Sequence, residues 1–411
     1  MERIALGVIG CGGMGRRHLR AYRALRDAGS DRFEIVALCD VRREAAEEAA
    51  VLVEELLGSR PAVVTDYESL LASGTVEALD VVTEPSTHHL LVVPALEAGI
   101  HVTCEKPLGL TVRACRRILD AAASSSAVLS VAENYRRDGP NRLARAVIDS
   151  GMLGELHLMV QMSLGGGDGI IISPWRHLRD SGSIALDMGV HYSDIIRYYL
   201  GEFGTVFGSS FVAEPLRRYA AGAVRAPGIE EVEPGAIRAT GDDSVVATYE
   251  MASGVLVQLS YVPSGPGRHW SQRSLHGRNG SMSVPPDRTG QPVVVELGAK
   301  LLSGAALRAE LGGFELDGVT AALFGADGTE YDKPFSEIDA ATIGIELDDF
   351  GRAVSEGAPA EVDGYGGLIA VAAIWAVAES RRRGESVAVQ AVADGVVSGV
   401  QDEVDKVLGL C

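Results

Sequence analysis

A chain of 411 residues with 46% hydrophobic and 23% charged side chains reads as an ordinary globular protein with room for two or three domains. Its formal net charge of -19 argues against a nucleic acid or an anionic membrane surface as partner, since both need a positive field, and leaves a small molecule as the expected ligand. Five scattered cysteines form neither a disulfide framework nor a paired metal motif, no apolar run approaches the roughly 20 residues that cross a bilayer, and MERIALGVIG is too short and glycine-broken for a secretory signal; a cytoplasmic protein is expected.

The first third alternates apolar runs (RIALGVIG, FEIVALCD, ALDVVTEP, HVTCEKP, VLSVAEN) with helix-like segments such as RRHLRAYRALRDAG, REAAEEAAVLVEELLG and HHLLVVPALEAG. Buried parallel strands have this texture, and the alternation predicts a doubly wound α/β domain over residues 1–136. Residues 137–411 predict a second α/β domain combining a mostly antiparallel sheet with helices. RLARAVIDSGMLGELHLMVQMSLGG reads as a helix leading into a strand, and SIALDMGVHYSDIIRYYLG as a long helix stopped by Gly201. Glu214 to Asp243 reads as a polar Gly/Pro loop or arm, and SVVATYEMASGVLVQLSYV as an antiparallel hairpin about Ser253-Gly254. SMSVP, PVVVEL and AALFGADGTEY are further strand candidates, and IGIELDDFGRAVSEG and GLIAVAAIWAVAESRRRG close the chain as helices.

RIALGVIG runs into CGGMGRRHL, so Gly10, Gly12 and Gly15 satisfy GxGxxG between a predicted strand and a predicted helix, with Cys11, Gly13 and Met14 between them. Glycine permits a tight turn, close approach of a pyrophosphate and close packing of the helix, whose N-terminus faces the phosphates. The next strand ends in Asp40, placed to accept hydrogen bonds from an adenosine ribose diol. That carboxylate favours NAD, because it would repel the 2'-phosphate of NADP; Arg42 and Arg43 follow at once, however, and leave NADP open.

Glu105-Lys106-Pro107 closes a strand at the edge of the sheet where ligands lie in open α/β folds. Coiled as a helix, LDMGVHYSDIIRYYL puts Asp187, His191 and Asp194 on one face at i, i+4 and i+7. Together with GCGGMG, with EPSTHHLLVVPALEAGIHVTCEKPL and with the tail GYGGLIAVAAIWAVAES, in this order, the chain resembles the Gfo/Idh/MocA family of oxidoreductases over nearly its whole length. The resemblance implies a Rossmann domain followed by an α/β domain whose large open sheet mediates a homodimer or homotetramer.

It also implies an NAD(P)-dependent transfer of hydride at a secondary alcohol or ketone of a sugar, polyol or sugar derivative. Imidazole, with a pKa of about 6.5, can take the alcohol proton in either direction, which is the role expected of His191. Asp187, one turn earlier, is expected to hydrogen-bond the ring or the substrate, and Lys106 to favour alkoxide character on the reacting oxygen. The resemblance carries His89 to the nicotinamide, with Thr83, Pro85 and Glu105 nearby, and puts Asn134 and Arg136 on the cleft; His88 is expected to face outward. Trp175 and Arg176 in SPWRH suit stacking on or clamping a polyol, or core packing in the case of Trp175.

The Asp187–His191 pair could instead ligate a metal, but no HExxH or cysteine cluster completes such a site and no metal is expected. Ser181-Gly182-Ser183 stands where similar sequences carry a glycine triplet; its hydroxyls contact substrate or cap the helix. The unusual LGGGDGIIIS before it makes the substrate hard to transfer from a relative. Competing functions are a redox-neutral epimerase or glycoside-cleaving enzyme with cycling NAD, and a non-catalytic cofactor-binding regulator.

Overall fold

The computed structural model describes residues 3–223, 225 and 228–411. Strands β1 (Ile4–Ile9), β2 (Phe33–Cys39), β3 (Ala62–Val64), β4 (Ala78–Val81), β5 (His101–Glu105) and β6 (Leu129–Ala132) form a six-stranded parallel sheet in the order β3-β2-β1-β4-β5-β6. Helices α1 (Gly13–Asp27), α2 (Arg43–Leu57), α3 (Tyr67–Ala72), α4 (His88–Glu97) and α5 (Val112–Ala123) make the crossovers. Strand order reverses between β1 and β4, so the crevice at their carboxyl ends is where a doubly wound sheet receives its ligand. Gly10, Asp40, Thr83, Lys106 and Glu133 all stand one or two residues beyond a strand end on that edge.

The chain then enters α6 (Gly139–Asp149), β7 (Leu156–Leu164), α7 (Ile184–Leu200) and β8 (Phe203–Phe211). Short strands β9 (Leu216–Arg218), β10 (Glu231–Glu233) and β11 (Ala236–Arg238) precede β12 (Ser244–Met251), β13 (Leu256–Val262), β14 (Trp270–Gly277), β15 (Ser281–Val284), β16 (Val294–Leu297) and β17 (Lys300–Ser303). After α8 (Gly304–Glu310), α9 (Gly318–Phe324), α10 (Phe335–Glu356) and α11 (Gly364–Arg383) come β18 (Val387–Ala388), α12 (Val389–Ala393) and α13 (Asp402–Val407). The second sheet has nine strands in the order β17-β16-β15-β14-β7-β13-β12-β8-β18, antiparallel except for β7 beside β13. The hairpin β12–β13 turns at Gly254, whose φ of +85° suits glycine, and β12 buries alternate residues as a half-covered strand must. Helices α7 and α11 cover one face; on the other, Leu158, Phe207, Val246 and Leu256 are exposed.

The two halves share their packing. Helix α10 lies along α1, and its Ile343, Leu347 and Phe350 join the core of Leu19, Leu25 and Phe33. Helix α11 packs on α7 and reaches α5, and Trp375 on it donates to the Leu110 carbonyl at 3.0 Å.

Two expected elements differ. AALFGADGTEY is no strand: its apolar run lies in α9, capped by Asp317, which accepts from the Thr320 amide at 3.0 Å, and a four-residue apolar run is too short to show a period. The arm from Glu214 to Asp243 is a small antiparallel sheet, β10-β11-β9, rather than a loop; its residues 224, 226 and 227 lie outside the described residues.

Candidate active site

The glycine loop is shaped by three separate constraints. Gly10 has φ +99°, and a Cβ there would stand 2.8 Å from the Val82 carbonyl oxygen. A Cβ on Gly15 would meet the Gly10 carbonyl oxygen at 2.1 Å, so α1 packs directly on the loop. At Gly12 and Gly13, by contrast, a Cβ would meet nothing within 4 Å. Gly12 caps α1 without a side-chain hydrogen bond, which leaves amides of the first turn directed at this open space, as a pyrophosphate requires. Cys11 is buried and Met14 half-buried against the core of this half. Asp40 holds the loop: Oδ2 accepts from the Cys11 amide at 2.8 Å and Oδ1 from the Arg42 amide at 2.9 Å. The Arg42 guanidinium turns outward, its Nε 4.0 Å from Asp40, and Arg43 pairs with Glu47 on the surface. These residues fit a dinucleotide.

Thr83 and the buried Pro85 follow β4 on the same edge. Neither neighbouring histidine sits as expected: both are buried. His88 does not face outward: it is fully buried, with Nδ1 2.9 Å from the Pro107 carbonyl oxygen and Nε2 3.2 Å from that of Thr83, so it ties β4 to the turn after β5. His89 lies near Leu408, Arg117 and Asp405, where burial holds its imidazole below the ordinary value. Helix α4 is apolar on nearly all sides, so its sequence did not reveal which histidine faced the sheet edge.

Lys106 reaches from the end of β5 to α7. Its Nζ lies 3.0 Å from Asp187 Oδ1 and 3.0 Å from the Asp187 carbonyl oxygen, while Arg176 Nε lies 3.1 Å from Asp187 Oδ2. Burial opposes charge on Asp187, but the Lys106 ammonium and then Arg176 outweigh it and hold the carboxyl down at about 2. Arg176 also lies over the Trp175 ring at 4.1 Å. Helix α7 begins at Ser183, whose Oγ accepts from the Leu186 amide at 3.2 Å and donates to the Asp242 carbonyl at 2.7 Å; this hydroxyl caps the helix.

His191 stands one turn after Asp187, but the hydrogen bond expected between Asp187 and its ring is not the one formed. Its Nδ1 lies 2.6 Å from Oε1 of Glu133, just past β6, and its ring stacks on Tyr135 at 3.9 Å and 3°. Burial and then the Lys106 ammonium hold His191 well below its ordinary range. Asp194, on the same helix face, binds Arg136 through both carboxylate oxygens, with Nε to Oδ2 at 2.7 Å. Arg136 is therefore buried on its own counter-ion. Asn134 is also buried, and its Oδ1 has no partner.

Sequence reasoning missed Glu133 and a second cluster beneath Glu105. His18 is fully buried between Asp80, 2.9 Å from Nδ1, and Glu105, 3.2 Å from Nε2, and Tyr22 donates to Asp80 at 3.0 Å. Burial disfavours the imidazolium, yet the two carboxylates raise His18 well above its ordinary value; in turn His18 keeps Glu105 low despite burial. The acid inside the apolar strand ALDV was the signal for this cluster.

Among the described residues no helix is long and apolar enough to cross a membrane, and no group of three or more His, Cys, Asp or Glu is placed to hold a metal ion. Residues 4–133 match the model of the oxidoreductase family with an NAD-binding Rossmann fold, and residues 141–283 match the GFO/IDH/MocA C-terminal domain. The chain is 28% identical over 385 residues to levoglucosan dehydrogenase of Pseudarthrobacter phenanthrenivorans, covering 89% of this chain and 93% of that protein. It is 26% identical over 384 residues to inositol 2-dehydrogenase of Rhizobium meliloti, covering 92% and 98%. Among solved structures, levoglucosan dehydrogenase in complex with NADH shares the fold with a TM-score of 0.77 at 22% identity, over 94% of this chain and 99% of that one. With both halves matched in order and the glycine loop, the lysine and the helix-borne Asp187 and His191 converging at one sheet edge, this chain belongs to the GFO/IDH/MocA family of NAD-binding oxidoreductases.

Proposed function

We propose that this chain oxidises a secondary alcohol of a sugar, polyol or sugar derivative with NAD, or reduces the matching ketone. The observation that carries the reading is the meeting of Lys106 from one half with Asp187 of the other, with His191 one turn along the same helix and near enough to feel the Lys106 charge. The named substrates of the similar dehydrogenases, levoglucosan and inositol, support the polyhydroxylated class.

Bound NAD supplies the hydride acceptor. Amides at Gly12 and Gly13 would hold its pyrophosphate and Asp40 its ribose diol, which favours NAD over NADP. Thr83 and Pro85 would border the nicotinamide, and the unpartnered Asn134 Oδ1 would accept from it. Lys106 would donate to the reacting oxygen and favour the alkoxide, and His191 would take the proton through Nε2. Asp187 would keep Lys106 and Arg176 in place, with the Arg176 guanidinium resting on the Trp175 ring.

Residues 1–136 would serve as the cofactor unit and 137–411 as the substrate and oligomerisation unit of a cytoplasmic homodimer or homotetramer. The open face of the nine-stranded sheet, with Leu158, Phe207, Val246 and Leu256, is the surface for subunit contact.

The test is a panel of sugars, inositols and nucleotide sugars assayed with NAD and NADP separately by absorbance of the reduced cofactor. Turnover that collapses in Lys106→Met and His191→Asn is expected. Conversion of a substrate with no net NADH would favour the cycling reaction, and NAD binding without turnover of any panel member would favour a regulator.

A further inference from the structure

The proton taken by His191 needs somewhere to go. Its Nδ1 faces Glu133 Oε1 at 2.6 Å, so Nε2 is the nitrogen left to meet a substrate hydroxyl. Glu133 is 2% exposed, and the Tyr135 amide donates to the same Oε1 at 3.0 Å, which fixes the carboxyl against the ring. Tyr135 fixes the ring in turn by stacking on it, with the Arg288 guanidinium 5.1 Å over the tyrosine. A buried carboxyl set against a buried imidazole is costly unless the pair is used or its charges are matched.

We propose that Glu133 positions His191 and accepts the proton that the ring passes on. The inference rests on the hydride-transfer function proposed for the chain. In the oxidation direction the substrate O–H bond breaks as an N–H bond forms at Nε2, and the Nδ1–H bond breaks as an O–H bond forms on Glu133. The C–H electron pair leaves with the hydride to NAD+, the oxidant, and the proton is later released to water. Reduction of a ketone runs the same transfers backwards.

The charges around the pair suit this direction. Lys106 and Arg136 favour the ionised form of Glu133, whereas Glu105, Asp194 and Glu346 lie close enough to oppose it. Burial dominates and pushes the Glu133 carboxyl up to about 7. On the His191 side, burial, Lys106 and Arg288 disfavour the imidazolium, and Asp187 and Glu105 favour it. With Glu133 ionised the bridging proton sits on Nδ1 and leaves Nε2 free to accept; a second proton taken up at Nε2 sends the bridging one to the carboxyl and leaves the ring neutral, and the pair titrates as a unit.

The test uses the full chain labelled with 15N-histidine, wild type and Glu133→Gln, titrated by NMR from about pH 5 to 9. The His191 signals are identified by their loss in His191→Asn. In the wild type Nδ1 is expected to carry a strongly hydrogen-bonded proton and to report a transition near 7 that vanishes in Glu133→Gln. With a substrate from the panel, Glu133→Gln should lower kcat on the order of 100-fold and remove the corresponding limb from the pH profile. KM and the NAD Kd should stay unchanged, and Glu133→Asp should restore part of the rate. A His191 titration identical in wild type and Glu133→Gln, or full kcat with the limb intact, overturns the proposal. If no alcohol on the panel is oxidised, the function proposed for the chain fails, whereas the NMR titration still decides whether the two groups share a proton. Unchanged thermal melting of the variant shows that a lost rate is not lost folding.

Discussion

The Lys106 ammonium touches Asp187 twice, at 3.0 Å from Oδ1 and 3.0 Å from the backbone oxygen, and so spans the two halves of the molecule where their cleft closes. Replacing Lys106 by Met keeps the length of the side chain and removes the charge. It is expected to lower kcat on the order of 1000-fold, since a charge placed at the reacting oxygen acts in the transition state. NAD affinity, measured by fluorescence titration, should stay within about threefold, because the glycine loop is untouched. Stability should fall by about 1–3 kcal/mol, as Asp187 keeps only Arg176. Retention of kcat would remove Lys106 from the chemistry.

Asp40 is the residue proposed to decide between the cofactors. Both of its oxygens are engaged by backbone amides, so the carboxylate is fixed beside the glycine loop, while Arg42 points into solvent. Asp40→Asn removes the negative charge and keeps the shape, and gives up one of the two backbone hydrogen bonds. The ratio of kcat/KM for NAD over NADP should fall about 10- to 100-fold, equivalent to roughly 1.4–2.8 kcal/mol. An unchanged ratio would mean that another group reads the ribose.

Two glycines of one motif should fail differently. Gly15→Ala places a Cβ 2.1 Å from the Gly10 carbonyl oxygen, which forces α1 away from the loop and should lower both Tm and NAD affinity. Gly12→Ala meets no protein atom within 4 Å, so it should melt with the wild type and still weaken NAD, because the added methyl stands where the pyrophosphate would approach. Equal effects on Tm would contradict the open cradle.

Glu361 sets an acid limit on stability. It receives Arg137 at 2.5 Å and Arg142 at 2.7 Å, and although burial opposes its charge, these guanidinium groups bring it from 4.5 down to about 2. A folded-state value below the unfolded one gives stability that is present above about pH 4.5 and lost as pH falls toward 2. The contribution is at most about 3 kcal/mol, since partial exposure admits solvent screening. Urea unfolding at pH 7, 5 and about 3.5 should show this loss in the wild type and a flatter profile in Glu361→Gln.

Much of this site was legible because its pieces are local. The glycine loop needs only a strand end, a tight turn and a helix start, and Gly10, Gly12 and Gly15 state all of it within six residues. Asp187 and His191 were legible from helical spacing, and Lys106 from its place at a strand end. What spacing does not reveal is which partner a side chain takes across the fold. Glu133 meets His191 across 58 residues, and in AENYRR it reads as an ordinary turn acid. The Asp80–His18 contact crosses 62 residues. Asp194 was grouped correctly on its helix face, yet its carboxylate is taken up by Arg136, and an Arg four residues past a strand carries no sign of being buried.

Arg217 links the arm to the loop that leads into the candidate active site. It is fully buried, with Nη2 2.7 Å from Asp243 Oδ2 and Nη1 3.1 Å from the Gly167 carbonyl oxygen and 3.3 Å from that of Pro263. Asp243 also accepts from the Ala213 amide at 2.8 Å and the Glu214 amide at 3.0 Å, so one ion pair joins the arm, the glycine run Gly165–Gly166–Gly167 and the end of β13. Breaking it strands a buried carboxylate, and Arg217→Met should cost about 3–5 kcal/mol in urea unfolding. A lysine should not rescue it, because one ammonium cannot serve the carboxylate and the separated carbonyls together. The same loop continues to Ile171, whose amide donates to His177 Nε2 at 3.0 Å next to Trp175 and Arg176. Loosening it should therefore raise KM for the alcohol by about tenfold while NAD affinity holds, a split that kinetics with saturating NAD would measure. A variant with wild-type stability and KM would show that the arm is held by other contacts.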